Sequence, residues 1–279
     1  MMPDSKFILN FTRTGLIPTR ELTPHVPITP QEIAQEVLDI ADLGVSMVHL
    51  HAREPASGEP TYKKKIYAEI TRAIRNKNKS LILCVSTSGR YHNEFEKRSE
   101  CLELDGDAKP DFASLTLSSL NFNKQASIST PQMIQLLAKK MAERGIRPEL
   151  EVFDLGMVNY AKYLIRKNSL APPYYFNIIL GNIACAQADM LHLGLIIKEL
   201  PEGSIWSVGG VGNEQLKVNI MSILSGGGVR IGIEDNIWYD AERTELATNR
   251  ALVERIVTLA KTLGFSPYTP KEARQLLGL

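Results

Sequence analysis

The run Val48-His49-Leu50-His51-Ala52-Arg53 puts two imidazoles two residues apart at the end of an apolar stretch. Read as a strand, it sends His49 and His51 to one face and Leu50 to the other, because successive side chains alternate sides. Two imidazoles about 7 Å apart along one face suit a borderline cation such as zinc, which takes histidine nitrogen. Two hydrogen-bonded core histidines would have the same spacing, so a metal reading needs a third ligand.

The run Gly226-Gly227-Gly228-Val229-Arg230-Ile231-Gly232-Ile233-Glu234-Asp235-Asn236 supplies a candidate. Read as a strand over 229–235, it gives Arg230, Gly232 and Glu234 one face and Val229, Ile231 and Ile233 the other. Charge on a buried face is costly unless it is paired or binds a metal. An internal Arg230–Glu234 ion pair is the plain alternative. A cation held by His49, His51 and Glu234 would keep a position open for substrate, the pattern of a catalytic zinc. Polar residues recur at the ends of other apolar runs: Thr12 and Thr14, Ser86 and Ser88, Ser114 and Thr116, Glu149 and Glu151. Recurrence at the same end of successive strands is what the rim of a barrel active site looks like. The remaining histidines, His25, His92 and His192, fall in two loops and a helix, which disfavours a hydrolase site built from several strand histidines.

Something must bring residue 234 to residues 49 and 51. Short β-rich runs fall at 7–14, 45–53, 81–87, 112–117, 149–154, 174–180, 205–209 and 229–235, short and mostly apolar as parallel strands buried on both faces should be. Helical segments lie between them. One starts at Pro30 behind Thr29 and another at Pro131 behind Thr130, each a capping residue followed by a proline at the first helical position. Others span 156–167, 185–200, 213–224 and 244–263. Eight strands alternating with helices predict an α/β chain folded as a (β/α)8 TIM barrel, one domain over 1–279. In such a barrel the last strand lies beside the first and the second lies on its other side, so Glu234 reaches the histidine pair. An open doubly wound sheet is disfavoured, since no GxGxxG follows the first strand and no GxxxxGK[ST] occurs. The segments 52–61 and 88–111 read as loops, the second long and charged enough to form a lid.

Composition agrees with a soluble globular protein. The 32 Lys plus Arg balance 31 Asp plus Glu, which gives no support for a nucleic-acid partner or a membrane surface. No signal peptide or membrane span is expected near the first residues. Three scattered cysteines suggest a reducing, cytoplasmic setting.

Several patches together make the chain resemble the β-keto acid cleavage enzymes nearly end to end. They are Thr14-Gly15 with Pro18-Thr19-Arg20, Pro27-Ile28-Thr29-Pro30, the His49–Arg53 run, Val85-Ser86-Thr87, Leu120-Asn121-Phe122, Pro148-Glu149-Leu150-Glu151-Val152-Phe153-Asp154, and Arg230–Asn236. The resemblance implies a cytoplasmic homo-oligomer, a tetramer, with Zn2+ on His49, His51 and Glu234. It implies exchange of a β-keto acid with acetyl-CoA, giving acetoacetate and a new acyl-CoA. Asp235 falls on the family's base, with Arg230 beside it, and Ser86, Ser114 and Glu151 fall on positions that bind or orient substrate. Thr116 joins them from the rim. Ile17 stands where the member acting on an ammonium-bearing substrate has glutamate, so the resemblance implies a substrate without an amino group, with a neutral or apolar tail. Arg90, Lys97 and Arg98 are candidate phosphate contacts for CoA or simply a solvated charged surface. The alternative is another divalent-metal lyase or aldolase that does not use CoA.

Overall fold

The computed structural model describes residues 5–279. Eight parallel strands close into a barrel: β1 (Leu9–Thr12), β2 (Met47–Leu50), β3 (Ile82–Val85), β4 (Phe112–Thr116), β5 (Arg147–Val152), β6 (Tyr175–Leu180), β7 (Ile205–Gly210) and β8 (Gly228–Ile231). Spatial order follows chain order, and β8 pairs with β1, whose other neighbour is β2. The expected TIM barrel is therefore the observed fold. Around it lie α1 (Pro30–Ile40), α2 (Lys64–Lys77), α3 (Phe95–Ser99), α4 (Pro131–Glu143), α5 (Leu155–Arg166), α6 (Met190–Glu199), α7 (Glu214–Leu224) and α8 (Asn249–Thr262). A further helix, α9 (Pro270–Leu276), follows.

Local chemistry fixes where the helices begin. Thr29 accepts the backbone N–H of Glu32 while Glu32 accepts that of Thr29, a reciprocal cap with Pro30 at the first turn. Thr269, Pro270 and Glu272 repeat this device at α9, a signal visible in the sequence that marks the helix missing from the expected set. Asp154, Asp189 and Thr248 cap α5, α6 and α8. Each such cap contributes roughly 1 kcal/mol.

The expected lid over 88–111 is not a free loop. It carries the third crossover as the short α3 and two 3-10 turns, with Arg98, Cys101, Leu102, Leu104 and Ala108 buried against the barrel. Arg98 donates to the carbonyls of Thr87 and Ile128 and to the Ser129 hydroxyl, so it braces this segment from within.

Two cores result. The larger lies between the strands' outer faces and the helices, built from Leu9, Phe11, Val48, Leu50, Leu83 and Val85 with Ile33, Val37, Ile70 and Ile74. The smaller fills the barrel's N-terminal end, where Ile8, Met47, Ile82, Cys84, Phe112 and Tyr175 meet Ala273 and Leu277 of the α9 region. The C-terminal end of the barrel is polar.

Candidate active site at the barrel mouth

His49 sits in register between Thr12 of β1 and Cys84 of β3, and His51 follows just past the strand end. Their rings are 5.0 Å apart between centroids, with the two Nε2 atoms 3.2 Å apart. Glu234 arrives differently from the expectation. β8 ends at Ile231, and the chain turns at Gly232, where any Cβ would collide with the Thr12 carbonyl oxygen. The Glu234 amide then donates to that same carbonyl at 3.2 Å. On an unbroken strand residues 234 and 235 would face opposite ways. The turn instead lets one guanidinium take both: Arg230 Nη2 lies 2.7 Å from Glu234 Oε1, and Arg230 Nε lies 2.8 Å from Asp235 Oδ2. Gly15, at φ +63°, passes so close to Glu234 that a Cβ there would press on its side chain. Arg53, fully buried, holds that loop by donating to the carbonyls of Gly15, Pro18 and Gly58. Arg53 is thus a brace for the loop that confines Glu234.

His51 Nε2 is 3.3 Å from Glu234 Oε1. Ligand atoms on a tetrahedron around zinc stand roughly 3.3 Å apart, given bonds of roughly 2.0–2.1 Å. The two spacings seen here fit such a cation, and Glu234 Oε2 is buried without a hydrogen-bond partner. The donor set and the orphaned oxygen both suit a bound divalent metal. Behind it, His49 Nδ1 lies 2.7 Å from Glu149 Oε2, and Glu149 Oε1 accepts from Asn10 Nδ2 at 2.8 Å. A carboxylate on the far nitrogen fixes the tautomer and aims the other nitrogen at the metal. His49, Cys84 and Glu149 also lie close enough together to hold an ion. That group is the poorer site, because Glu149 is already engaged by His49 Nδ1 and Asn10, and burial keeps the Cys84 thiol protonated.

The charges are arranged unequally. Burial lowers His49, but Glu149 overrides it and lifts the imidazole to about 9. For His51 burial dominates the pull of Glu234 and leaves it at about 4. Burial opposes ionisation of Glu234, yet His51 and Arg230 hold it well below the usual carboxylate range. Glu149 is likewise lowered, burial being outweighed by His49. Asp235 and Glu151 go the other way, because burial outweighs the pull of Arg230 on Asp235 and of His49 on Glu151. Neighbouring carboxylates pushed apart in this way are the arrangement that separates a metal ligand from a proton acceptor.

The cavity above these groups encloses about 630 Å³ of empty space counting its open mouth. Ile17, Ser86, Thr116, Glu151, Arg230, Glu234 and Asp235 line it with His51. Thr116 donates to Glu151 at 2.6 Å. Arg230 Nη1 has no hydrogen bond and stands 4.0 Å from Glu151, which leaves a buried donor for a substrate oxygen. Of the expected substrate contacts, Ser114 is not brought to the wall. It pairs in register with Glu149, one layer deeper, and its hydroxyl accepts from the Thr87 amide. Of the three candidate phosphate contacts, Arg98 is a buried brace and Lys97 pairs with Glu94 at 2.8 Å, whereas Arg90 lines the cavity. Spacing alone placed Glu149 on the rim without its partner His49 and gave Arg53 no role, because His49, Gly15 and Pro18 are distant in sequence.

The sequence profile described as beta-keto acid cleavage enzyme matches residues 6–279. The chain belongs to the β-keto acid cleavage enzyme family. It is 36% identical to 3-keto-5-aminohexanoate cleavage enzyme from Fusobacterium nucleatum subsp. nucleatum, covering 98% of each chain. It is 31% identical to 3-oxoadipate:acetyl-CoA acetyltransferase from Cupriavidus necator, covering 98% of this chain and 94% of the relative. Among solved structures, a ternary complex of ObcA with a C4-CoA adduct and oxalate superimposes with a TM-score of 0.79 at 21% identity, over 92% of this chain and 68% of that one. That likeness supports the barrel fold. The family assignment makes this chain an enzyme whose relatives carry out acetyl-CoA-linked transfers on keto acids.

Proposed function

We propose that this β-keto acid cleavage enzyme is zinc-dependent and exchanges a β-keto acid with acetyl-CoA, giving acetoacetate and the acyl-CoA of the remaining chain. The observation that carries the reading is the meeting of His49, His51 and Glu234 at 3.2 and 3.3 Å beside the Arg230–Asp235 pair. Zinc bound there would supply a Lewis acid for the ketone and carboxylate oxygens of the substrate. Asp235, raised by burial and held in place by Arg230 and Thr12, is the base that takes the proton from C2. The free Nη1 of Arg230 faces the oxygen on which negative charge then develops. Ser86, Thr116 and Glu151 orient the substrate along the same wall, and Ser114 acts through Thr87 and the layer beneath. The carbon nucleophile attacks the acetyl thioester; the new C–C bond forms, CoA leaves and returns to the other carbonyl, and cleavage releases acetoacetate.

Ile17 at the cavity mouth offers no charge to an ammonium group, which supports a substrate without one. The acetyl-CoA-linked activities of the relatives favour CoA chemistry over a CoA-independent aldolase. A homo-oligomer, a tetramer, in the cytoplasm belongs to the same proposal; no helix of the described residues is long and apolar enough to cross a membrane. The test is a panel of β-keto acids with purified protein and acetyl-CoA, scored for acetoacetate and acyl-CoA and paired with metal analysis. Silence across a broad panel would sink the reading.

A further inference from the structure

Among the described residues, Arg90 is the one cation on the cavity wall that the chemistry above does not use. Its guanidinium carbon lies over the ring of Phe122, 3.6 Å from the centroid, and its Nε is buried without a hydrogen bond. Among the described residues its side chain forms no ion pair, although the charge of Glu234 is near enough to act on it. Every carboxylate lining this cavity is already committed: Glu151 to Thr116, Glu234 to His51 and Arg230, and Asp235 to Arg230. A half-buried guanidinium held on an aromatic shelf with no ion-pair partner among the described residues costs free energy, and burial lowers its pKa accordingly. A ligand that brings an anion to Nε and the adjacent amino group would remove that cost. Arg is suited to the task because its planar fork matches a carboxylate.

We propose that Arg90 on its Phe122 shelf receives a second anionic group at the far end of the substrate, so that the preferred substrate is a β-keto acid whose tail ends in a carboxylate. The proposal rests on the β-keto acid reading of this site and sharpens its substrate class. The chemistry between the two ends fits. Leu120, Phe153, Ile179 and Val211 give the same cavity an apolar side along which methylene groups can lie. Ile17 completes the selection, since it neither pairs with nor repels a carboxylate while the same cavity carries Arg90. The proposal thus puts an anionic tail in place of the neutral or apolar one expected from the sequence. An anion could also come from CoA. Arg90, however, shares the cavity with the reacting carboxylates, whereas the pantetheine arm sets the phosphates of CoA well apart from its thioester.

The experiment compares 3-oxoadipate with 3-oxohexanoate, of equal chain length and differing only in the terminal carboxylate, using wild type, Arg90→Gln and Arg90→Lys. The wild type is expected to favour the diacid. In Arg90→Gln the diacid-to-monoacid ratio of kcat/KM falls about 10- to 100-fold, the range for a hydrogen-bonded charge, with Arg90→Lys between the two. Equal losses for both substrates would make Arg90 merely structural, and a loss confined to the KM of acetyl-CoA would give the anion to CoA; either overturns the proposal. Calorimetric binding of the two acids without acetyl-CoA separates this idea from the exchange reaction. If the diacid binds no tighter than the monoacid, the receptor is wrong whatever the exchange assay gives. Arg90-dependent diacid binding without turnover would keep the receptor and discard the exchange.

Discussion

The two ends of the barrel interior are built from the same eight strands and obey opposite rules. At the N-terminal end, Ile8, Met47, Ile82 and Phe112 close the bore with Leu277 from the α9 region, and each is at most 2% exposed. At the C-terminal end the same inward positions carry His49, Glu149, Arg230 and Glu151. The lower end is held by dispersion and water exclusion, which tolerate exchange of one apolar group for another of similar volume. The upper end packs charges whose burial is costly unless each has its partner. The difference teaches that this protein places its chemistry where the strand ends can be supplemented by turns, and its insulation where they cannot.

Removing a proposed metal ligand should break that contrast most severely. His49→Ala or His51→Ala is expected to abolish stoichiometric metal by elemental analysis and to lower turnover by more than 10³-fold, roughly the scale of losing a central electrostatic catalyst. Retained metal and retained turnover in either variant would disprove the site. Asp235→Asn should come next, with about 10²- to 10⁴-fold lower kcat at unchanged metal content. Loss of the metal in that variant would show that Asp235 is part of the cation's support and not the base. Glu149→Gln leaves the ligands in place and removes the charge behind His49. Chelator competition should then give metal affinity about 10- to 100-fold weaker. An unaltered affinity would reduce Glu149 to a core hydrogen-bond partner. The smallest functional effect belongs to the floor. Leu277→Ala should cost about 2–5 kcal/mol in denaturant unfolding while kcat stays within a few-fold of wild type. A collapse of activity at full stability there would mean that the two ends are not independent.

Part of this site could be read directly from the chain. His49 and His51 share a face because a strand has a period of two, and the pairing of β8 with β1 follows from barrel closure. The capping runs at Thr29 and Thr130 announced their helices. The repeat of that pattern at Thr269 was there to be seen, and with it the helix that plugs the floor. The excursion over 88–111 reads as a charged loop, yet Cys101, Leu102, Leu104 and Ala108 face inward because irregular turns bury residues without any helical period to reveal them.

The sequence by itself determined the residue types, the strand–helix alternation and the shared face of the two histidines, all of which depend on neighbours a few residues away. The tertiary structure alone decided that Glu149 backs His49 across 100 positions, that Arg53 steadies the loop over Glu234, and that Arg90 is left lying on Phe122. It also decided the turn at Gly232, where the crowding of the Thr12 carbonyl bends the chain and gives Arg230 both carboxylates. Local periodicity carries no information about such contacts, because their energies arise from charges and atoms brought together only when the barrel closes.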